Sequence, residues 1–232
     1  MTQLDPAIIG ALLCGLIAWF VVVPLASKVP FRLEVQWEHE FAVRALSEVK
    51  PIDATAYALT SLQKTAVVGA AVALGYLSTK TYGIAAAGMA MGLFFQALLL
   101  LAVINLKHAL LPDSIALPVL WVGLLYGATQ GTGAEHIYGA AVGYMAPFSV
   151  NLIIRASSRR DLIGHGDMKT LSMAGAWFGV SAMPTLLLLF TGMLFATIPL
   201  FTYARRKFPH GLPTGPAHLV ASVAVAMGAH IF

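Results

Sequence analysis

The sequence predicts an all-α, polytopic helical membrane protein, and two observations lead to this fold class. The first is composition: 59% of the 232 residues are hydrophobic, 10% are charged, and the mean hydropathy is +0.81. Soluble domains carry about 25% charged residues, so this chain belongs in a bilayer. The second is that the apolar stretches are continuous instead of alternating, which favours spanning helices over a β-barrel.

The apolar stretches predict about eight transmembrane helices, because each span needs about 20 mostly apolar residues. The predicted spans are 6–28, 58–78, 83–105, 114–130, 134–155, 168–182, 183–204 and 215–231. Only the short segment from Gly179 to Pro184 separates the sixth span from the seventh, so seven spans is the alternative. With no internal repeat and short loops, residues 1–232 are predicted to form a single membrane-embedded domain.

The basic residues predict the orientation, since Lys and Arg concentrate in cytoplasmic loops. With both termini outside, the inner segments are 29–57, 105–113, 156–167 and 205–214. Thirteen of the 14 Lys and Arg then lie in or near these segments, and only Lys80 lies outside. The net charge of +4 follows from this asymmetry. The basic residues are not interleaved with aromatics, so the predicted partner is a lipid bilayer and not a nucleic acid.

The sizeable polar stretch Lys28–Asp53 falls in the first inner segment. Its apolar positions recur at roughly helical spacing, which predicts an amphipathic helix on the inner membrane surface. Its Glu38-His39-Glu40 run does not predict a metal site, because adjacent helical residues point apart. The single cysteine, Cys14, rules out a CxxC metal site and a disulfide framework. The sequence therefore predicts no metal ligands.

Asp167 is the first candidate catalytic residue. It closes the run Gly164-His165-Gly166-Asp167, which precedes an apolar stretch beginning at Met168. A carboxylate where a membrane helix begins is costly unless it has a function, and the glycines leave room beside it for another chain. Proteolysis by aspartates needs a second carboxyl group. Asp161 follows two arginines and is predicted to be a solvated loop charge.

The turn from Ile104 to Pro118 resembles the type IV prepilin peptidases, in which a catalytic Asp near a helix end is followed by Leu-Pro-Asp. Further stretches are similar to this family in position and kind: Gly166-Asp167-Met168-Lys169, Gly175-Ala176-Trp177-Phe178-Gly179, Trp121-Val122-Gly123-Leu124-Leu125 and Pro213-Thr214-Gly215-Pro216. The similarity covers most of residues 20–220.

The resemblance implies an aspartyl endopeptidase of the bacterial inner membrane with its site on the cytoplasmic side. The implied substrate is the basic leader of a pilin-like precursor, in type IV pilus assembly or protein secretion. The implied catalytic positions are Asp167 and residue 105. The implied site-shaping residues are Gly164, Gly166, Lys169, Pro112 and Asp113. Lys169 is predicted to pair with either a carboxylate or a lipid phosphate.

Residue 105 departs from the family, because it is Asn105 where the family has its first catalytic Asp. An amide does not exchange a proton at neutral pH, so we expect the chain as it stands to be inactive. Three explanations stay open: an engineered inactivating substitution, a naturally inactive relative, or Asp113 serving instead. Asp113 is rather expected to cap the next helix.

The second departure concerns the inner loop and the first span. A four-cysteine zinc site, present in many family members, is impossible with one cysteine. The peptidase reaction implies no cofactor. S-adenosylmethionine is implied only if methyltransferase activity is retained, and Val21–Ser27, the segment associated with that activity, looks degenerate.

Two other classes of function compete with a peptidase. The first is a small-solute or ion transporter subunit, because intramembrane carboxylates often mark ion pathways. The ionisable groups gather at one face, however, and the sequence shows no broken inverted repeat. The second is a non-catalytic scaffold of a pilus or secretion assembly. None of these features predicts an oligomeric state.

Overall fold

The protein is helical throughout the parts that its computed structural model describes, which are residues 5–45, 47–158, 163–203 and 213–228. No strand occurs in these ranges. The α-helices are α1 Pro6–Ile17, α2 Val23–Ala45, α3 Ser61–Tyr82, α4 Ala86–His108, α5 Asp113–Thr129, α6 Gly133–Ser158, α7 His165–Phe178, α8 Met183–Tyr203 and α9 Gly215–Ala226. The predicted all-α class is confirmed.

Each predicted span coincides with a helix. Four stretches among the described residues are long and apolar enough to cross a membrane: Pro6–Ala45, Ala54–Tyr82, Ala86–His108 and Gly133–Ala156. Three further helices are apolar but shorter: Asp113–Thr129, Met183–Thr197 and Gly215–Ala226. The weakest boundary, between the sixth and seventh spans, is also present, because α7 ends at Gly179 with φ of 80°. A positive φ suits glycine and stops the helix there.

The first helix differs from its prediction. A π-helical turn, Ala18–Val22, joins α1 to α2, and the Val23 N–H donates to the Ala18 carbonyl five residues back. Pro24 follows directly and has no N–H of its own. The wider turn therefore lies where the regular series of α-helical backbone hydrogen bonds is interrupted. Pro30 is buried within α2 and does not end it. The amphipathic stretch is therefore the continuation of the first helix to Ala45, and residues 47–53 are not helical.

The chain divides into two compact units, Met1–Ile104 and Asn105–Phe232. In the first, α1 packs against α3. In the second, α7 packs against α5, α6 and α9, and α8 packs against α9. All the candidate site residues lie in the second unit. A single domain over residues 1–232 stays a prediction.

Helix α7 is the buried helix of the second unit, and small residues allow it to pack closely against its neighbours. A Cβ added to Gly175 would lie 2.1 Å from the carbonyl oxygen of Gly139, so the backbones of α6 and α7 are in contact. On the α5 side, Trp177 Nε1 donates to the Val119 carbonyl at 2.9 Å. Gly123 makes room for that indole, since a Cβ there would lie 2.6 Å from it. Packing on two sides therefore fixes the position of α7 relative to α5 and α6.

Candidate active site

Asp167 lies in the first turn of α7 and is only 9% exposed. Gly164 is the N-cap, and its carbonyl accepts the backbone N–H groups of Asp167 and Met168 at 3.1 and 3.2 Å. The partial positive charge of a helix N-terminus favours an ionised carboxylate at this position. The local sequence thus places an acidic side chain in a buried site with partial electrostatic compensation.

The carboxylate of Asp167 binds two side chains from the start of α9. The Thr214 hydroxyl donates to Oδ1 at 2.5 Å, and His218 Nε2 lies 3.0 Å from the same oxygen. A carboxylate oxygen only accepts hydrogen bonds, so Nε2 carries the hydrogen. His218 is 2% exposed and stacks on the Phe190 ring of α8, with centroids 4.3 Å apart. The imidazole is therefore held in place by both packing and a hydrogen bond.

These partners set the charge of Asp167, which precedes the predicted sixth span and lies outside the four long apolar helices. Burial acts to raise the pKa of the carboxyl group. The hydrogen bond and charge of His218, followed by the hydrogen bonds of Thr214 and the Gly164 backbone, outweigh burial and hold the pKa of Asp167 below its usual value. The ionised form of Asp167 is accordingly favoured, and this is the form that can accept a proton.

Asn105, near the end of α4, is 4% exposed. Its Oδ1 accepts the backbone N–H of Gly215 at 2.7 Å, and its Nδ2 makes a long contact of 3.5 Å to the Leu110 carbonyl. Gly215 directly follows Thr214, which binds Asp167. Two consecutive residues at the start of α9 therefore hold positions 105 and 167, which are 62 residues apart in the sequence (167 − 105).

The two glycines of the Asp167 turn each face a crowded neighbour. A Cβ on Gly164 would lie 3.1 Å from Asp167 Oδ2, and a Cβ on Gly166 would lie 3.0 Å from Leu111 Cβ. Gly164 has φ of −67° and ψ of 150°, which any residue adopts. Glycine is thus present at 164 for space beside the carboxylate and not for an unusual backbone conformation.

The expectation that Asp113 caps α5 is wrong in detail. Pro112 is the N-cap residue, and no side chain makes a capping hydrogen bond. Asp113 is the first helical residue, where its charge still favours the helix N-terminus, and its carboxylate forms a partly exposed ion pair with Lys169 of α7. The partner of Lys169 is therefore a carboxylate.

Sequence reasoning missed the roles of three side chains. Thr214 lies in a recognised motif, but no role was predicted for it. His218 carries a signal that was available, since it is the one ionisable residue in the sequence of α9, and such residues mark functional sites. Asn151 of α6 is 3% exposed and binds both backbone groups of Ile163, at 2.7 and 3.0 Å, which fixes the chain entering Gly164.

Other predicted residues lie apart from this site or outside the described part of the chain. His165 is exposed. Asp161 lies outside the described residues. Among the residues that are described, there is no group of three or more His, Cys, Asp or Glu side chains placed to hold a metal ion.

Residues 92–201 match the Type IV leader peptidase family. The family match covers the part of the chain that holds residues 105 and 167. A protein of Klebsiella pneumoniae is 41% identical over 42% of this chain and 43% of its own length. A protein of Stutzerimonas stutzeri is 34% identical over 61% of this chain and 50% of its own. One of Escherichia coli (strain K12) is 38% identical over 43% and 45%.

All three relatives are named prepilin leader peptidase/N-methyltransferase. The chain spans about half the length of these relatives, between 43% and 50%. No solved structure matches the chain.

Proposed function

We propose that the chain is a member of the type IV prepilin peptidase family, as its similarity to that family supports, and that its site is that of an aspartyl leader peptidase in which one of the two carboxyl groups is replaced by an amide. The substrate is the basic leader of a pilin-like precursor, which serves type IV pilus assembly or protein secretion. The catalytic positions are Asp167 and residue 105.

One observation carries this proposal: the N-cap residue of α9, Thr214, and its first residue, Gly215, bind the two positions. Thr214 binds Asp167 at 2.5 Å and Gly215 binds Asn105 at 2.7 Å. An aspartyl protease needs two acidic groups within reach of one water molecule. The alternative partner, Asp113, is instead paired with Lys169. This pairing supports position 105 over Asp113.

The reaction follows from the properties of the two positions. With a carboxyl group at 105, repulsion between the two acids leaves them sharing one proton. The ionised group takes a proton from water as the water oxygen bonds to the scissile carbonyl carbon and the C=O π pair moves onto the carbonyl oxygen. The protonated group then gives its proton to the leaving nitrogen as that pair re-forms the C=O bond and the C–N bond breaks. Asn105 cannot complete this exchange, so the chain as it stands binds a leader without cutting it.

The location of the site is the second part of the proposal. The distribution of the basic residues supports a location of the start of α7 and the end of α4 at the cytoplasmic face of the bacterial inner membrane. A basic leader followed by an apolar helix is retained at the same face, because its charges resist transfer across the bilayer. The proposed site and the cleavage point of the leader would therefore lie at the same depth in the membrane.

Methyl transfer is not part of this proposal. S-adenosylmethionine carries an ammonium group and ribose hydroxyls, which require polar partners when they are buried. In Val21–Ser27 the only polar side chain is that of Ser27, and the segment lies within the first helix, where Val22, Val23 and Ala26 are buried. The residues of this segment do not fit the cofactor.

The amide at 105 favours a second candidate function, a non-catalytic scaffold that binds pilin-like precursors in a pilus or secretion assembly. Such a protein would need the same leader contacts and no second carboxyl group. A transporter subunit receives less support, because the buried ionisable side chains Asp167 and His218 are paired with one another.

A cleavage assay in lipid vesicles with a pilin-type leader peptide tests the proposal. We expect Asn105→Asp to cleave the leader, and the double variant Asn105→Asp/Asp167→Asn to lose this activity by several orders of magnitude. Leader binding without cleavage in every variant supports the scaffold. Cleavage by the starting chain that disappears in Asp113→Asn assigns the second carboxyl group to Asp113 and overturns the role of position 105.

A further inference from the structure

The two oxygens of the Asp167 carboxylate have different surroundings. Oδ1 is bound by both the Thr214 hydroxyl and His218 Nε2. Oδ2 lies beside Gly164, where the missing Cβ leaves space 3.1 Å away. Oδ1 is therefore held in place by two side chains, whereas Oδ2 lies at the glycine turn, whose Gly164 backbone also stabilises the carboxylate.

The two donors on Oδ1 favour the ionised form of Asp167. Hydrogen bonds to a charged acceptor are roughly twice as strong as those between neutral groups, so each donor stabilises the anion more than the acid. The His218 ring cannot swing away, because it is 2% exposed and stacked against Phe190. The donor is thus fixed before any substrate arrives.

The surroundings of residue 105 favour the opposite form. Asn105 accepts one hydrogen bond, from the Gly215 N–H, and directs its Nδ2 donor toward the Leu110 carbonyl. A protonated carboxyl group reproduces both contacts, because its carbonyl oxygen accepts and its O–H donates. An ionised carboxylate only accepts, and would place a charge against the Leu110 carbonyl oxygen.

We infer that His218 is a positioning residue that keeps Asp167 ionised as the base, and so leaves the shared proton on the residue at 105. This inference rests on the proposed peptidase function. His218 does not touch the reacting water or the leader. It acts through Asp167 Oδ1, and Oδ2 is the oxygen that takes the proton from water.

Other charged groups lie around the pair, among them Arg155 of α6 and His165 of α7, which line one cavity together with Met168. Lys169 of α7 is paired with Asp113 of α5. Helix α8 has no titratable residue among its described side chains, 183–197, and helix α9 has only His218. On α4, Lys107 and His108 follow Asn105. Within the described part of the chain, Asp167 is the titratable group that His218 contacts.

The pH dependence of cleavage tests this role in the Asn105→Asp background. His218→Leu removes the donor, and we expect the acid limb of the kcat profile to move up by about one pH unit, with KM little changed. His218→Gln keeps an N–H donor and should restore the profile to within a few tenths of a unit. Ser222→Ala is the matched control, since Ser222 is buried one turn further along α9 and its hydroxyl has no partner among the described residues.

The outcomes separate the alternatives. A shift in both His218 variants also supports the inference and assigns the effect to the imidazole charge. An unchanged acid limb in His218→Leu overturns it, whether or not the overall rate falls, because a merely structural residue alters the amount of folded enzyme and not its pH profile.

A second measurement does not depend on activity. In the starting chain labelled with ¹³C at the aspartate carboxyl groups, the Asp167 signal is assigned by its loss in Asp167→Asn. We expect its titration midpoint to rise by about one pH unit in His218→Leu. An unchanged midpoint contradicts the role of His218 even if Asn105→Asp cleaves leaders. Failure of Asn105→Asp to cleave, with the midpoint shifted, contradicts only the proposed function.

Discussion

At the scale of single residues, the Asp167 carboxylate and the Asn105 amide are held by two consecutive residues at the start of α9, Thr214 and Gly215. Asp167 was predictable, because a carboxylate at the start of a membrane helix is costly and therefore informative. Its contacts with Thr214 and His218 were not, because they join residues 47 and 51 positions apart. Such pairings depend on how helices pack, and local sequence patterns do not encode them.

Gly164→Ala tests the space beside Asp167 at this scale. The backbone at Gly164 suits alanine, but the new methyl group would lie 3.1 Å from Oδ2 and displace the carboxylate by a few tenths of an ångström. In the Asn105→Asp background we expect about a tenfold loss of kcat, since small misplacements of catalytic groups are costly.

The thermal midpoint should stay within a few degrees in this variant. Leader cleavage and thermal unfolding measured on the same preparation check both expectations. Full activity would show that Oδ2 does not face the reacting water.

At the scale of elements, hydropathy and span length predicted eight spans, and a helix of the described part of the chain lies at each of them, because the bilayer imposes a minimum length. The same reasoning ended the first helix too early, near Lys28. The polar stretch that begins at Lys28 suggests a boundary there, whereas the π turn at Ala18–Val22 precedes Pro24 and the helix then continues to Ala45. A rearranged backbone hydrogen bond of this kind has no signature in hydropathy.

The contact between α6 and α7 gives the element-scale prediction. Gly175→Ala would put a methyl group 2.1 Å from the Gly139 carbonyl oxygen, and neither backbone can yield without separating the helices. We expect a destabilisation of about 2–4 kcal/mol, in the range of overpacked cores.

Gly192→Ala in α8 is the control, because nothing lies within 4 Å of its added Cβ. It should be neutral or stabilising by about 0.5–1 kcal/mol, since alanine favours helix over glycine. Unfolding of both variants in detergent measures the difference. Equal stability of the two would show that α6 and α7 are not in backbone contact.

At the scale of the whole molecule, the chain is a multi-pass membrane protein, and its orientation is a prediction from the basic residues. Lys50 and Lys80 are both exposed and fall on opposite sides in that prediction. In a Cys14→Ala background, we expect an impermeant thiol reagent added outside to label Lys80→Cys and not Lys50→Cys.

Arg160→Cys extends the labelling test to the predicted inner segment 156–167. It should react only after the membrane is permeabilised. Labelling of position 160 from the outside would reverse the orientation and move the site to the other face.

The glycine contact between α6 and α7 also limits how such a site can diversify. Because the backbones at Gly139 and Gly175 are in contact, the helix that carries Asp167 has no room to move closer to its neighbour, and under the proposed function it would present the same carboxylate position to leaders of different lengths. Accommodation of a new substrate is then left to the segments outside this contact, such as the Gly164–Gly166 turn, the Leu110–Pro112 turn and the start of α9. Substitutions in these segments would then change the specificity of the proposed site. The Asp167 carboxylate would keep its depth in the membrane, because its helix stays in place.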